Sequence, residues 1–338
     1  MKMRILIPVL LSLGLLAGGC TTDFTLEGEW EDIPVVYAFL SSQDTAHYVR
    51  VEKVFLEPGG NAEEIARIPD SLYYGANEAT VILEKVTTGQ RVVLQRVNGE
   101  DEGYPRQGGV FATTPNILYK VKASQFVLTA GQRVRIIVER PGKESAVAET
   151  IIVPPVVFNT PQEGSFTSFL PYTGLNNVTW ITPTQAFIYD IRIKIRYKES
   201  LPGSTTQFVD KSVEWVIDEN YRRDEALSSS QFIRFSNASF FLTIAANIPQ
   251  TPDVIRRFTA MDYVIIGAGS EIVDYLDIAN ANTGITSSEI PPSFSNVTNG
   301  LGLVSSRSRT ELIGISLTSD TRDSLRNGIY TRLLNFVP

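Results

Sequence analysis

The sequence predicts a mainly β protein: an N-terminal β-sandwich followed by a β-rich α+β domain with two or three short helices. Three observations carry that reading. In "FIYDIRIKIRYKE", Phe187, Tyr189, Ile191, Ile193, Ile195 and Tyr197 alternate with Ile188, Asp190, Arg192, Lys194, Arg196 and Lys198. A period of two over this length describes an antiparallel strand with one wet face. Between Ile33 and Pro155, about seven β-branched runs are bounded by turn residues, the pattern of a sandwich. "VPPVVFNTP" at 153–161 then sets prolines, which lack a backbone donor, along an extended connection.

The elements follow in order. "VVYAFL", "HYVRVEKVFL", "ATVILEKV", "QRVVLQRV", "QRVRIIVER" and "VAETIIVPP" read as strands, and "TTGQR" at 87–91 as a hairpin link. A short helix is expected near 61–66. Beyond the prolines, "VEWVID", "SSQFIRFSN", "FTAMDYVIIGAG" and "TELIGISL" read as strands. "SNASFFLTIAANIPQTP" reads as a helix, with Phe240, Ile244 and Ile248 spaced by four and Pro249 as its stop. Ser270 is placed to cap a second helix, with Ile272, Leu276 and Ala279 on one stripe. A last helix ends at Asn327-Gly328. "GAGSE" at 267–271 reads as a strand-to-helix turn, and "SNVTNGLG" at 295–302 as a structural turn.

The start reads "MKMRILIPVLLSLGLLAGGC". Lys2 and Arg4 precede an apolar run too short to span a bilayer, which suits a secretory signal. Ala17, Gly18 and Gly19 are small, and Cys20 is the one cysteine of the chain. This arrangement resembles the bacterial lipobox, which implies lipidation of Cys20 and removal of residues 1–19. With Thr at 21 in place of an inner-membrane retention Asp, the resemblance implies an outer membrane. The acidic "TTDFTLEGEWED" behind it resembles surface-export signals and leaves the periplasmic and cell-surface faces both open. The expected divisions are 1–19 signal peptide, 20–32 lipidated tether, 33–154 β-sandwich and 155–338 β-rich domain.

Composition excludes several functions. The net charge is −7, and loss of Lys2 and Arg4 with the signal makes it −9. An acidic chain without a basic stripe does not suit nucleic acid. His47 is the only histidine and shares strand phase with Val49 and Val51, so it is expected to face inward. Without a second histidine or a free cysteine, a nitrogen- and sulfur-ligated metal site is not expected. No nucleophile-elbow motif is present, and no cofactor is predicted. "NGEDEGYPRQGG" at 98–109 lacks calcium-loop spacing and reads as a solvated hairpin tip. Tyr73 and Tyr74 in "IPDSLYYGAN", together with Tyr104, are the candidate partner or glycan contacts, because loop aromatics offer large contact area. Of the adjacent pair, one ring is expected to pack inward and the other to be exposed. Thr45, Ser71 and Ser324 sit in "DTA" and "DSL" triplets that resemble a Bacteroidota O-glycosylation pattern.

Taken together, "DTAHYVRVEKVFL", "IPDSLYY", "WITPTQAFIYDIRIKIRYKE", "FFLTIAANIP" and "FSNVTNGLG" resemble a family of Bacteroidota outer-membrane lipoproteins of unknown function. The resemblance covers nearly the whole mature chain and includes no catalytic motif. It implies an immunoglobulin- or prealbumin-like first domain and, because many members are encoded beside SusC-like TonB-dependent receptors, work with a transporter. One departure is "LVSSRS" after "NGLG", where many members carry an aromatic and more glycines. The resulting expectation is a non-catalytic accessory lipoprotein that binds a TonB-dependent receptor or its glycan or peptide cargo. The alternatives are a structural or adhesive surface module and a carboxylate-dependent carbohydrate-active enzyme.

Overall fold

The structure is a computed structural model that describes residues 32–54, 62–225, 229–281 and 293–338. The signal, Cys20 and the tether up to residue 31 lie outside the described residues. The protein is mainly β, with several antiparallel sheets and few short helices.

The N-terminal half holds strands β1 (Ile33–Leu40), β2 (Ala46–Val54), β3 (Thr80–Lys85), β4 (Gln90–Val93), β5 (Gln95–Asn98), β6 (Ile117–Lys122), β7 (Arg133–Glu139) and β8 (Ala146–Ile151). Two short helices, α1 (Ala62–Ile65) and α2 (Pro69–Leu72), stand between β2 and β3. Alternation decides what is buried. Val36, Ala38, Leu40, Val49 and Val51 point from β1 and β2 into a core that Val81, Leu83, Val134, Ile136 and Val138 close from the opposite layer. His47 is buried on that inner face, as its phase predicts. The buried Leu94 separates β4 from β5, and there the chain crosses from one layer to the other.

The C-terminal half holds β9 (Val157–Thr160), β10 (Phe166–Thr167), β11 (Leu175–Ile181), β12 (Ile188–Ser200), β13 (Phe208–Arg222), β14 (Ser230–Ser236), α3 (Asn237–Asn247), β15 (Arg256–Ala268), α4 (Ser270–Ala281), β16 (Val297–Thr298), β17 (Leu301–Leu317), α5 (Ser319–Asn327) and β18 (Phe336–Val337). Tyr189, Ile191, Ile193, Ile195 and Tyr197 of β12 are buried in a second core with Trp180, Trp215, Phe240 and Ile244. Phe169 stacks on Phe240 at 4.2 Å between ring centroids. The Ser236 hydroxyl accepts the Ala238 amide at 3.3 Å and caps α3. On α4, Ile272 and Leu276 are half-buried while Ala279 is exposed, so the expected stripe is shorter than the sequence suggests.

The two halves share one ten-stranded sheet, whose main path runs β13-β12-β15-β17-β1-β2-β6-β5. Its link is β17. Leu301–Ser306 pair in parallel with Val35–Leu40, while the later residues Arg307–Ile315 pair antiparallel with β15. "LGLVSSRS", which local turn signals hide, is therefore the start of a long strand. Gly302 lies opposite Val36 with φ of +123°, and a Cβ there would collide with the Val36 backbone. The first core also takes Val297 and Val304. The unit expected over 33–154 thus draws on residues beyond 296, and β16 pairs with β8 to complete its second layer.

Candidate functional site

The outward residues of β1 and β2 are the starting point. Opposite the buried row, β1 presents Val35, Tyr37 and Phe39, and β2 presents Tyr48, Arg50 and Glu52. The register sets Val35 beside Glu52 and Tyr37 beside Arg50. Outward residues of β17 continue the row, with Leu301 beside Val35 and Leu303 beside Tyr37.

Three elements rise around this floor. The loop between β5 and β6 brings Arg106, Val110 and Phe111. The turn after α1 brings Ala66, and α2 brings Leu72. Helix α4 brings Tyr275, which meets Phe294 edge-on at 6.5 Å. Helix α4 is held against the sheet by the Ser305 hydroxyl, which donates to Glu271 Oε2 at 2.9 Å. The cleft, open to solvent on one side, measures about 700 Å³, within the range of small-ligand sites.

Its polar floor centres on Glu52, which is buried. Both Arg50 Nη1, at 3.0 Å, and Arg106 Nη1, at 2.6 Å, donate to Glu52 Oε1. Arg106 also donates to the Tyr73 hydroxyl at 2.9 Å and lies over the Phe111 ring at 4.9 Å. Burial works against the Arg106 charge, but the Glu52 carboxylate and the hydrogen bonds to Glu52 and Tyr73 outweigh it and raise the pKa of the guanidinium. Burial, the Glu52 carboxylate and the Tyr275 hydroxyl together hold the Tyr37 phenol above its ordinary range, so it stays a hydrogen-bond donor at neutral pH.

A second hollow, of about 430 Å³, adjoins the first and shares Tyr37 and Arg50 with it. Phe39, Asp44, Thr45, Tyr48, Tyr104 and Arg307 line the rest of it. Tyr104 packs edge-on against Tyr48 at 5.0 Å. The Tyr48 hydroxyl donates to Glu102 Oε2 at 3.0 Å, and Lys120 pairs with the same oxygen, so the loop carrying Tyr104 is fastened to β2 and β6.

The candidate tyrosines separate. Tyr104 is 53% exposed and lines the second hollow. Tyr73 and Tyr74 are only 3% and 2% exposed, which corrects the expectation that one ring of the pair reaches solvent. Both close the first core beneath α2, because the short helix turns the chain so that neither faces outward. Tyr73 still serves the cleft from below through Arg106. Tyr74 donates to Asp32 Oδ1 at 2.6 Å. Thr45 is exposed at the entry to β2, whereas Ser71 and Ser324 are half-buried on α2 and α5.

Sequence reasoning missed Tyr37, Arg50, Glu52, Arg106 and Tyr275. The first three were accessible from strand phase, since each stands opposite a buried aliphatic row. Arg106 lies in a stretch that reads as a solvated tip, and nothing local shows that it folds back onto β2.

Among the described residues no group of three or more histidine, cysteine or acidic side chains could hold a metal ion, and no helix is long and apolar enough to cross a membrane. No family model and no curated protein matches the chain. Among solved structures, it is similar to the C-terminal globular domain of an oligosaccharyltransferase from Pyrococcus abyssi, at 7% identity and a TM-score of 0.20. That match covers 83% of this chain and 46% of the other, so the chain spans less than half of that relative's length. It is also similar to CBD12 from CALX1.2, at 11% identity over 82% of this chain and 100% of that one, with a TM-score of 0.17.

Proposed function

We propose that the protein is a non-catalytic accessory lipoprotein of the outer membrane, anchored through Cys20, that binds a TonB-dependent receptor or its cargo. In this reading the first unit is an immunoglobulin- or prealbumin-like sandwich whose outer face carries the binding site. The observation that supports it is the cleft over β1 and β2, where exposed rings surround a fixed Arg50–Glu52–Arg106 cluster. Exposed aromatics around preset polar groups suit recognition by contact.

The position of the cleft is compatible with an anchored binder. Val35 lines it only a few residues after Asp32, where the described chain begins. Twelve residues, 20–31, span at most about 40 Å at ~3.3 Å per residue, which would limit how far Asp32 can stand from a lipidated Cys20.

The test is affinity purification of the full chain from native membranes, beside a Cys20→Ser variant. The expected result is palmitate labelling, membrane retention and a co-purifying TonB-dependent receptor for the wild type, with labelling and retention lost in the variant. Equal labelling of the variant would end the lipoprotein reading. Absence of any receptor from the wild-type preparation would end the receptor partnership.

A further inference from the structure

We propose that the outer face of β1 and β2 is a platform for a neutral oligosaccharide. This inference rests on the binding role proposed above and names the chemistry of what is bound. Two hollows adjoin on this face and share Tyr37 and Arg50 as the ridge between them. Each is in the size range of a small-ligand site, so the pair suits successive units of one oligomer.

The rings favour a sugar. Tyr37, Phe39 and Tyr104 stand exposed in and beside the ridge, and the contact with Tyr48 fixes Tyr104 in place. The negative faces of such rings attract the polarised C–H groups on the flat side of a pyranose. Between them, Arg50 and Glu52 are held by their own hydrogen bond at 3.0 Å. Among the described residues, both guanidinium donors to Glu52 reach Oε1 and none reaches Oε2. A planar donor fork beside a carboxylate acceptor matches a pair of neighbouring hydroxyls, which donate and accept at once.

The charge balance favours a neutral ligand. Among the described lining residues of the two hollows, four cations face three carboxylates, so neither sign dominates the field. Backbone pairing disfavours an extended peptide. β1 lies between β17 and β2, and β2 lies between β1 and β6. Val35, Val36 and Tyr37 are paired on both sides, by β17 and by β2, so strand addition has no edge to use along the ridge at Tyr37. At the ridge, recognition proceeds through side chains.

The test is native affinity electrophoresis of the full chain in detergent, through gels containing glycogen, dextran, xyloglucan, galactomannan or laminarin. The expected result is retardation by at least one polysaccharide. Tyr37→Ala and Arg50→Ala should each weaken it by about tenfold or more, as for a contact hot spot. Thermal unfolding of the same variants, and of Phe39→Ala as a third exposed position, checks that they are folded. No retardation by any of the five, or equal retardation of wild type and folded variants, overturns the proposal. If Tyr37→Ala loses a co-purifying receptor while no polysaccharide retards the wild type, the face is a protein interface; the sugar proposal falls and the accessory role stands. Retardation without any receptor leaves the sugar site standing and removes the receptor partnership.

Discussion

Arg106 donates to the Tyr73 hydroxyl at 2.9 Å and to Glu52 Oε1 at 2.6 Å. One guanidinium thus ties the loop before β6 both to strand β2 and to the turn after α2. Glu52 takes Arg50 as well, so the floor of the cleft is a connected set in which each member holds another's geometry.

Glu52→Ala removes the shared acceptor and leaves two guanidiniums without their carboxylate. Breaking a buried charged pair in this way costs ~3–5 kcal/mol, and the partial exposure of Arg50 places the expected loss toward the lower end. Tyr73→Phe removes one hydrogen bond while Arg106 keeps Glu52, so about 0.5–1.5 kcal/mol is expected. Urea unfolding of both variants measures the ranking. A Tyr73→Phe loss equal to that of Glu52→Ala would contradict the assignment of Glu52 as the hub.

Tyr104 and Tyr74 should respond oppositely to truncation. Tyr104→Ala removes an exposed ring and one edge contact, worth about 0.5–1.5 kcal/mol. Tyr74→Ala empties part of the first core and should cost ~3–5 kcal/mol. Tyr74 also loses its bond to Asp32, whose carboxylate, after burial, helps push the phenol far above its ordinary range. Thermal midpoints of the two variants, measured together, decide the matter. A Tyr104→Ala protein as unstable as Tyr74→Ala would remove Tyr104 from the exposed site.

Much of this fold is legible in the residues, and the reason is local. The alternation from Tyr189 to Tyr197 needs no partner to be read, because a wet face opposite a dry one imposes the period. The helix over Phe240 and Ile244 is equally plain, bounded by Ser236 and Pro249. What stays hidden depends on distant closure. "LVSSRS" carries no aliphatic alternation, since Ser305 and Ser306 are buried by hydrogen bonding: Ser305 to Glu271, and Ser306 to the Ile151 carbonyl at 2.5 Å. A buried serine reads as a loop residue until its partner is known. For the same reason Arg106 reads as part of a solvated tip, while its charge is spent on Glu52.

Stability should fall in mild acid through His47. Among the described residues no hydrogen bond of normal geometry reaches either ring nitrogen, and burial lowers the pKa, against smaller opposing effects of Asp44 and the Phe126 backbone. The unfolded chain then takes up the proton first as pH falls. The neutral-histidine contribution is complete above about pH 6.5 and is lost as pH drops through that value toward the lower folded one. His47 is the single histidine, so histidine titration between pH 8 and pH 5.5, followed through the urea midpoint, is that of His47 alone. His47→Leu should flatten that segment; an unchanged slope would assign it to other groups.

A chain of residues 33–154 tests the division between the halves. It keeps the two layers of the first unit but lacks Val297 and Val304 and both the strands that carry them. The exposed flank of β1 should leave it less stable than the whole protein and prone to self-association. Joining residues 293–306 through a flexible linker should restore a cooperative monomeric transition. Equal stability with and without that segment, measured by urea unfolding and sedimentation, would show the segment to be dispensable.

The position of β1 also sets how the molecule bears load. A pull on the chain ahead of Ile33 enters an interior strand, not an edge. Pairing with β17 covers Val35 to Leu40, and pairing with β2 covers Ile33 to Tyr37. Tension directed along the strand therefore loads both ladders in shear, so their hydrogen bonds must yield together and not one at a time. Because β17 also pairs antiparallel with β15 through Arg307–Ile315, that tension passes by backbone hydrogen bonds from β1 through β17 into the sheet of the second half.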